Sequence, residues 1–230
     1  MDFQAYELDV ISPFFYSSYE GNVISTDSAI SSTALTYAIA DALRLREKDY
    51  FLDGDDAITP KYEELAHIPI FTSDASPIKI QYTPVLFKSS MFWAEENLQI
   101  SDQNNPYPAI LQKTGKSPFF KQVRKHIGIE SGSIFNCVLI SPKPLEENIM
   151  INIGIRKSGE VRLTKIQNIP DTITLNYFML DKVYQVPKEK IMVKGAKIRK
   201  GGDYRMIFLQ DVPVSYFKAE ILPYVVKGWN

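Results

Sequence analysis

Three features of the sequence predict an α+β fold. A strand–turn–helix unit runs from Tyr6 to Leu43, an alternating hairpin covers residues 149–166, and strand candidates lie toward both ends around one well-striped helix. Tyr6-Glu7-Leu8-Asp9-Val10-Ile11 alternates, with Tyr6, Leu8 and Val10 on one face, and Ser12-Pro13 stops it. Phe14, Phe15, Tyr16 and Tyr19 follow, read as packing beneath a loop in preference to a stacking platform. Gly21-Asn22 marks a turn, because both residues tolerate positive φ. Ser25-Thr26-Asp27-Ser28 offers helix N-caps, and the helix is expected to reach about Leu45. Leu35, Ala38, Ile39, Ala42 and Leu43 form its apolar stripe, with Thr33, Tyr37, Asp41 and Arg44 opposite.

Tyr50 to Pro60 reads as a loop, and Thr59 is a candidate cap for a short helix from Pro60 to about Ala66. Ile78–Tyr82 and Val85–Phe87, followed by Met91-Phe92-Trp93, suggest two short strands or a hairpin. Residues 95–118 are polar and proline-rich, a long excursion of the kind that is usually functional or disordered. Ser133–Ile140 is a continuous apolar strand of the fully buried kind. Residues 149–155 and Val161–Ile166 flank the turn Lys157-Ser158-Gly159-Glu160. Thr172–Met179 and Arg205–Leu209 are further strand candidates, with a turn at Lys200-Gly201-Gly202-Asp203.

The chain has 230 residues, 45% of them hydrophobic, enough for one large domain, and its one cysteine, Cys137, excludes an internal disulfide. No apolar stretch approaches the ~20 residues of a membrane helix. The start carries Asp2, Glu7 and Asp9 where a signal peptide would carry a basic flank, so a cytoplasmic protein without membrane partners is expected. Net charge is −1, but residues 1–64 hold thirteen acidic and four basic side chains while residues 65–230 hold fourteen and twenty-two. Such asymmetry allows an acidic and a basic side.

Chemistry-bearing motifs are few. His67, His126 and Cys137 are far apart and give no zinc spacing, and no P-loop, dinucleotide fingerprint or nucleophile elbow is present. Neither a cofactor nor a metal is therefore expected. Cys137 sits in the most apolar strand and reads as an inert buried thiol. The segment from Lys113 to His126 is different: Lys113, Lys116, Lys121, Arg124 and Lys125 occur without a carboxylate, interleaved with Phe119 and Phe120. Phosphates favour such cations and exposed bases favour such rings, whereas the alternative is a solvated basic helix. His126 with a neighbouring lysine is also a candidate pair for metal-independent RNA cleavage, the histidine moving a proton and the lysine stabilising the charged phosphorane. Arg156, Lys157, Arg162 and Lys165 make a second basic cluster, and residues 188–205 a third, with Lys188, Lys190, Lys194, Lys197, Arg199, Lys200 and Arg205.

The order strand, aromatic pair, glycine turn, Ser/Thr lead-in, then Ala34-Leu35-Thr36-Tyr37-Ala38-Ile39-Ala40 resembles the start of the fifth Cas protein family of the RAMP superfamily. The type I-D variant is the best match. Lys61-Tyr62-Glu63-Glu64-Leu65, the run from Phe135 through Ser141-Pro142-Lys143-Pro144-Leu145, and Ile153-Gly154-Ile155-Arg156-Lys157 are similar to it too. The resemblance implies an RNA-recognition-motif-like (ferredoxin-like) antiparallel sheet in one domain, with a thumb-like insertion around residues 95–129. It implies a non-catalytic subunit of a CRISPR Cascade-type effector complex that grips the 5′ handle of the CRISPR RNA. Its partners would be the backbone subunit and the large subunit, with target DNA a further candidate contact. Gly21 and Asn22 gain an RNA-binding role from the resemblance, beside Lys113, Lys116, Lys121, Arg124, Lys125, His126, Arg156, Lys157 and Arg162 from the basic clusters. One related branch cleaves precursor RNA with a Tyr, Lys and His, and no such triad aligns here. The competing readings are an endoribonuclease acting through His126, and a protein-interaction module whose basic clusters pair with acidic partners.

Overall fold

The computed structural model describes residues 1–16, 23–46, 62–88, 123–154, 159–201 and 204–229. The fold is mixed α/β around a curled central antiparallel sheet. Its strands are β1 (Asp2–Val10), β2 (Val23–Ser25), β3 (Phe71–Thr72), β4 (Ser76–Lys79), β5 (Tyr82–Lys88), β6 (Val123–Ile129), β7 (Ile134–Ser141), β8 (Asn148–Ile153), β9 (Gly159–Ile166), β10 (Thr172–Asn176), β11 (Lys197–Lys200) and β12 (Ile207–Pro213). The central sheet runs β3-β7-β1-β9-β8, with β4 also on β7. Two three-stranded sheets stand beside it, β10-β12-β11 and β2-β6-β5.

β1 is antiparallel to both β7 and β9, and β9 is antiparallel to β8, so β1 and β8 run parallel with β9 between them. The alternation of β1 sends Tyr6, Leu8 and Val10 into the core, where Val161, Leu163, Ile149 and Ile151 meet them. The expected hairpin is β8–β9, in register from Asn148↔Thr164 to Ile153↔Gly159.

The helix α1 (Ser32–Ala42) starts later than its sequence suggests. The N-cap is Ser31, whose hydroxyl accepts from the Thr33 amide at 3.3 Å. The Ser25–Ser28 cluster is drawn elsewhere: Ser25 ends β2, Thr26 exchanges hydrogen bonds with the Tyr16 backbone, and Asp27 pairs with Arg199. Leu35, Ala38 and Ile39 are buried as their spacing implies, but Ala42 is exposed because the helix ends there. Thr36 is buried instead, its hydroxyl 3.2 Å from that of Thr72.

Of the two readings of residues 78–87, two short strands is the one observed: β4 joins β7 while β5 joins β6, so they form no hairpin. Two other expectations change. Thr172–Met179 leaves the strand after Asn176, whose Oδ1 accepts from the Met179 amide at 3.2 Å and starts a helical turn. The last strand candidate begins at Ile207, not Arg205, and pairs with β11, which the basic composition of residues 188–205 concealed. A helical run over residues 214–228 follows, burying Phe217, Ile221 and Val225. Pro223 lacks an N–H, and the preceding turn widens to a π-type turn. The short helix after Pro60 is observed as a 3-10 turn over Tyr62–Ala66. The loop expected over residues 50–60 lies outside the described residues. No described helix is long and apolar enough to cross a membrane.

Candidate nucleic-acid interface

Among the candidate RNA-binding residues, Gly21, Asn22, Lys113, Lys116, Lys121, Arg156 and Lys157 lie outside the described residues. Their flanking segments are well placed. β2, which follows Gly21-Asn22 in sequence, lies parallel to β6 with Val23↔Lys125, Ile24↔His126 and Ser25↔Ile127 in register. The basic run Arg124-Lys125-His126 is thus strand, not the helix that its composition allowed, and forms the centre of the β2-β6-β5 sheet. The segment expected to close the thumb-like insertion is this strand, Val123–Ile129.

The aromatic lead-in joins this small sheet to the end of the β8–β9 hairpin. Phe14 is fully buried and bridges Ile129 through two backbone hydrogen bonds of 3.1 and 2.9 Å. Its ring stacks on Tyr16, centroids 6.0 Å apart and 12° from parallel. Three glycines receive these aromatics. Gly128 of β6 lies against the Phe15 ring, Gly159 at the start of β9 lies against Phe14, and Gly154, with φ +86°, closes on the Phe14 Cβ and the Phe15 backbone. Phe14 and Tyr16 are therefore structural packing and leave no platform for a base.

The result is one corner. It collects the start of β2 at Val23, the backbone of Arg124-Lys125-His126, and the facing ends of β8 and β9 at Gly154 and Gly159. Arg162 faces out from β9 opposite Asp9, their side chains 2.7 Å apart and 49% and 33% exposed. A pair so exposed contributes only ~0–1 kcal/mol.

Next to the corner lies a buried polar seam that the sequence did not signal. Asp74, 1% exposed, accepts from the Ser32 amide at 2.6 Å, holding the first turn of α1. Burial pushes its carboxyl up to about 7, opposed by the Ser32 bonds and the Arg199 charge. Asn176 donates to the Ser31 hydroxyl (3.2 Å) and the Arg205 carbonyl (2.9 Å). Arg199 reaches Asp27 at 2.7 Å and covers the Phe208 ring at 4.3 Å. Cys137 is 3% exposed and burial pushes its thiol well above the ordinary range, as expected of an inert core residue. Among the described residues no three of His, Cys, Asp and Glu gather as a metal site.

Residues 1–203 match the family model for type I-D CRISPR-associated protein Cas5/Csc1. No curated protein sequence matches the chain. A similar solved structure is a chain in the cryo-EM structure of the type III-B Cmr-beta complex bound to cognate target RNA and AMPPnP. It has 8% identity and a TM-score of 0.41, over 98% of this chain and 93% of that one.

Proposed function

The chain belongs to the type I-D Cas5/Csc1 family of CRISPR-associated proteins, and from that premise we propose that it is a non-catalytic subunit that binds the 5′ handle of the CRISPR RNA. The observation that carries the reading is the corner described above, where β6 meets the described residues that flank the other two candidate segments, Val23 on one side and Gly154 and Gly159 on the other. A backbone of successive phosphates needs cations on more than one segment, and the sequence carries them both in β6, at Arg124 and Lys125, and between β8 and β9, at Arg156 and Lys157. The thumb-like insertion around residues 95–129 belongs to the same proposal; residues 95–122 lie outside the described residues, and its last part is β6. An RNA-recognition-type sheet is supported by the parallel pair β1 and β8 flanking β9, with α1 packed against β8. Docking onto the backbone and large subunits of the effector complex follows from the family, and the acidic charge of residues 1–64 suits a second, protein-facing surface.

The test is recovery of the protein from cells with its complex intact. A bound short RNA with one defined 5′ end, crosslinking to this chain, supports the proposal. A complex whose RNA never crosslinks to this chain argues instead for a protein-interaction module. Cleavage of repeat RNA by the purified chain in chelator, abolished by His126→Ala, would overturn the non-catalytic assignment.

A further inference from the structure

We propose that the tip of the β11–β12 hairpin is a stacking platform for one unpaired base of single-stranded RNA, with Tyr204 as the ring. The inference rests on the RNA-binding reading and adds a contact that neither the basic clusters nor the aromatic lead-in supplied.

Tyr204 is 64% exposed, among the most exposed large hydrophobic side chains described. An exposed ring on a loose loop would mean little, but this one is braced. It meets Phe178 in a T-shaped contact, centroids 5.5 Å apart at 76°, and Phe178 in turn meets Tyr62 at 5.2 Å and 82°. The Arg205 guanidinium lies 5.8 Å from the Tyr204 ring centroid and donates to the Tyr62 hydroxyl at 3.0 Å. The backbone beneath is held by the Asn176 bond to the Arg205 carbonyl, and the Gly201 amide donates to the Met206 carbonyl at 2.6 Å. A ring fixed before binding loses little entropy when a base stacks on it.

The surroundings favour nucleic acid. Two cations of this hairpin are committed within the fold, Lys197 to Asp211 at 2.9 Å and Arg199 to Asp27 at 2.7 Å. Lys200, at the tip end of β11, is exposed and joins none of the ion pairs among the described residues. The platform therefore has a ring for a base and a lysine for the adjoining phosphate. Position agrees with chemistry. The Asp27 that Arg199 grips lies two residues beyond β2, and Gly201 packs against the same carboxylate. The segment that follows β2 is thus tied through Asp27 to β11 and Gly201, the side of the hairpin that leads to Tyr204.

The test measures binding of a fluorescein-labelled single-stranded RNA of the repeat's 5′ handle sequence to the full chain, by anisotropy. Tyr204→Ala is expected to weaken binding about tenfold while Tyr204→Trp retains it. Thermal melting of each variant serves as the control for folding. Photocrosslinking of the wild-type chain to 5-iodouridine RNA supplies a readout without mutation, and the peptide carrying Tyr204 is expected to bear the adduct. Unchanged affinity in Tyr204→Ala with no adduct on that peptide overturns the platform. If Arg124→Glu still weakens binding in that case, the handle-binding function stands without it. A wild-type chain that binds no RNA overturns both.

Discussion

Gly159 lies so close to Phe14 that a Cβ at position 159 would overlap the side chain, with the Phe14 Cγ at 2.9 Å and the Ile153 carbonyl at 3.2 Å. This contact fastens the β8–β9 hairpin to the aromatic lead-in and, through the Phe14–Ile129 bridge, to β6. Gly159→Ala should cost ~1–3 kcal/mol by overpacking, lowering the melting midpoint by about 2–4 °C per kcal/mol. Gly132→Ala is the comparison: nothing stands within 4 Å of its Cβ, and only its φ of +75° opposes the change. Both variants should lose stability, but only Gly159→Ala should also weaken RNA capture, because it alone disturbs the corner.

Asn176 joins three separate parts of the chain. Replacing it with alanine removes a donor to the Ser31 hydroxyl, the donor to the Arg205 carbonyl and the acceptor of the Met179 amide. Asn176 is 2% exposed, so water does not readily replace those bonds. A drop of about 2–4 kcal/mol in urea unfolding is expected.

Asp74 gives stability a pH dependence whose sign can be worked out. Its carboxyl is raised to about 7 in the fold, against about 3.9 for an unfolded chain. Between those values the folded state binds the extra proton. This contribution is complete below pH ~4, falls as pH rises through ~7, and is absent above. Asp74→Asn keeps an oxygen acceptor for the Ser32 amide and carries no charge to bury. Unfolding measured from pH 4 to 8 should show a flatter profile for the variant, which gains on wild type at the alkaline end.

Cys137 should be unreactive in the native protein. Ellman's reagent is expected to modify it at least a hundredfold faster in denaturant, since burial disfavours the thiolate and also blocks access. Fast labelling of the folded chain would show that β7 opens to solvent.

The periodicity of the sequence carried the elements whose partners are close along the chain. The β8–β9 hairpin and the Leu35, Ala38, Ile39 stripe of α1 were legible because alternation of 2 and 3.6 residues is a local signal. Choice of distant partner was not. Ser25 to Ser28 and Ser31 have the same capping chemistry, and only the tertiary demands of Tyr16 and Arg199 decide between them. β4 and β5 likewise read as either two short strands or a hairpin, and their separation into two sheets depends on β6 and β7, far away in sequence. At the site, the basic character of Arg124-Lys125-His126 was visible, but its strand form and its pairing with β2 were not. Asp74 left no trace, because a single aspartate in Ser73-Asp74-Ala75 looks like any polar loop. The C-terminal helical run has a local signal of its own, Phe217, Ile221 and Val225 at four-residue spacing.

The most direct measurement is the affinity for 5′ handle RNA of a chain carrying Lys121→Glu, Arg124→Glu and Lys125→Glu, at physiological salt and across a salt series. If β6 and its approach hold the RNA backbone, binding should weaken by at least tenfold while the melting midpoint stays within a few degrees. The dependence of log affinity on log salt should also become shallower by up to about three, roughly one for each phosphate no longer neutralised. Unchanged affinity with an unchanged salt slope in a folded variant would contradict the assignment of this corner to RNA.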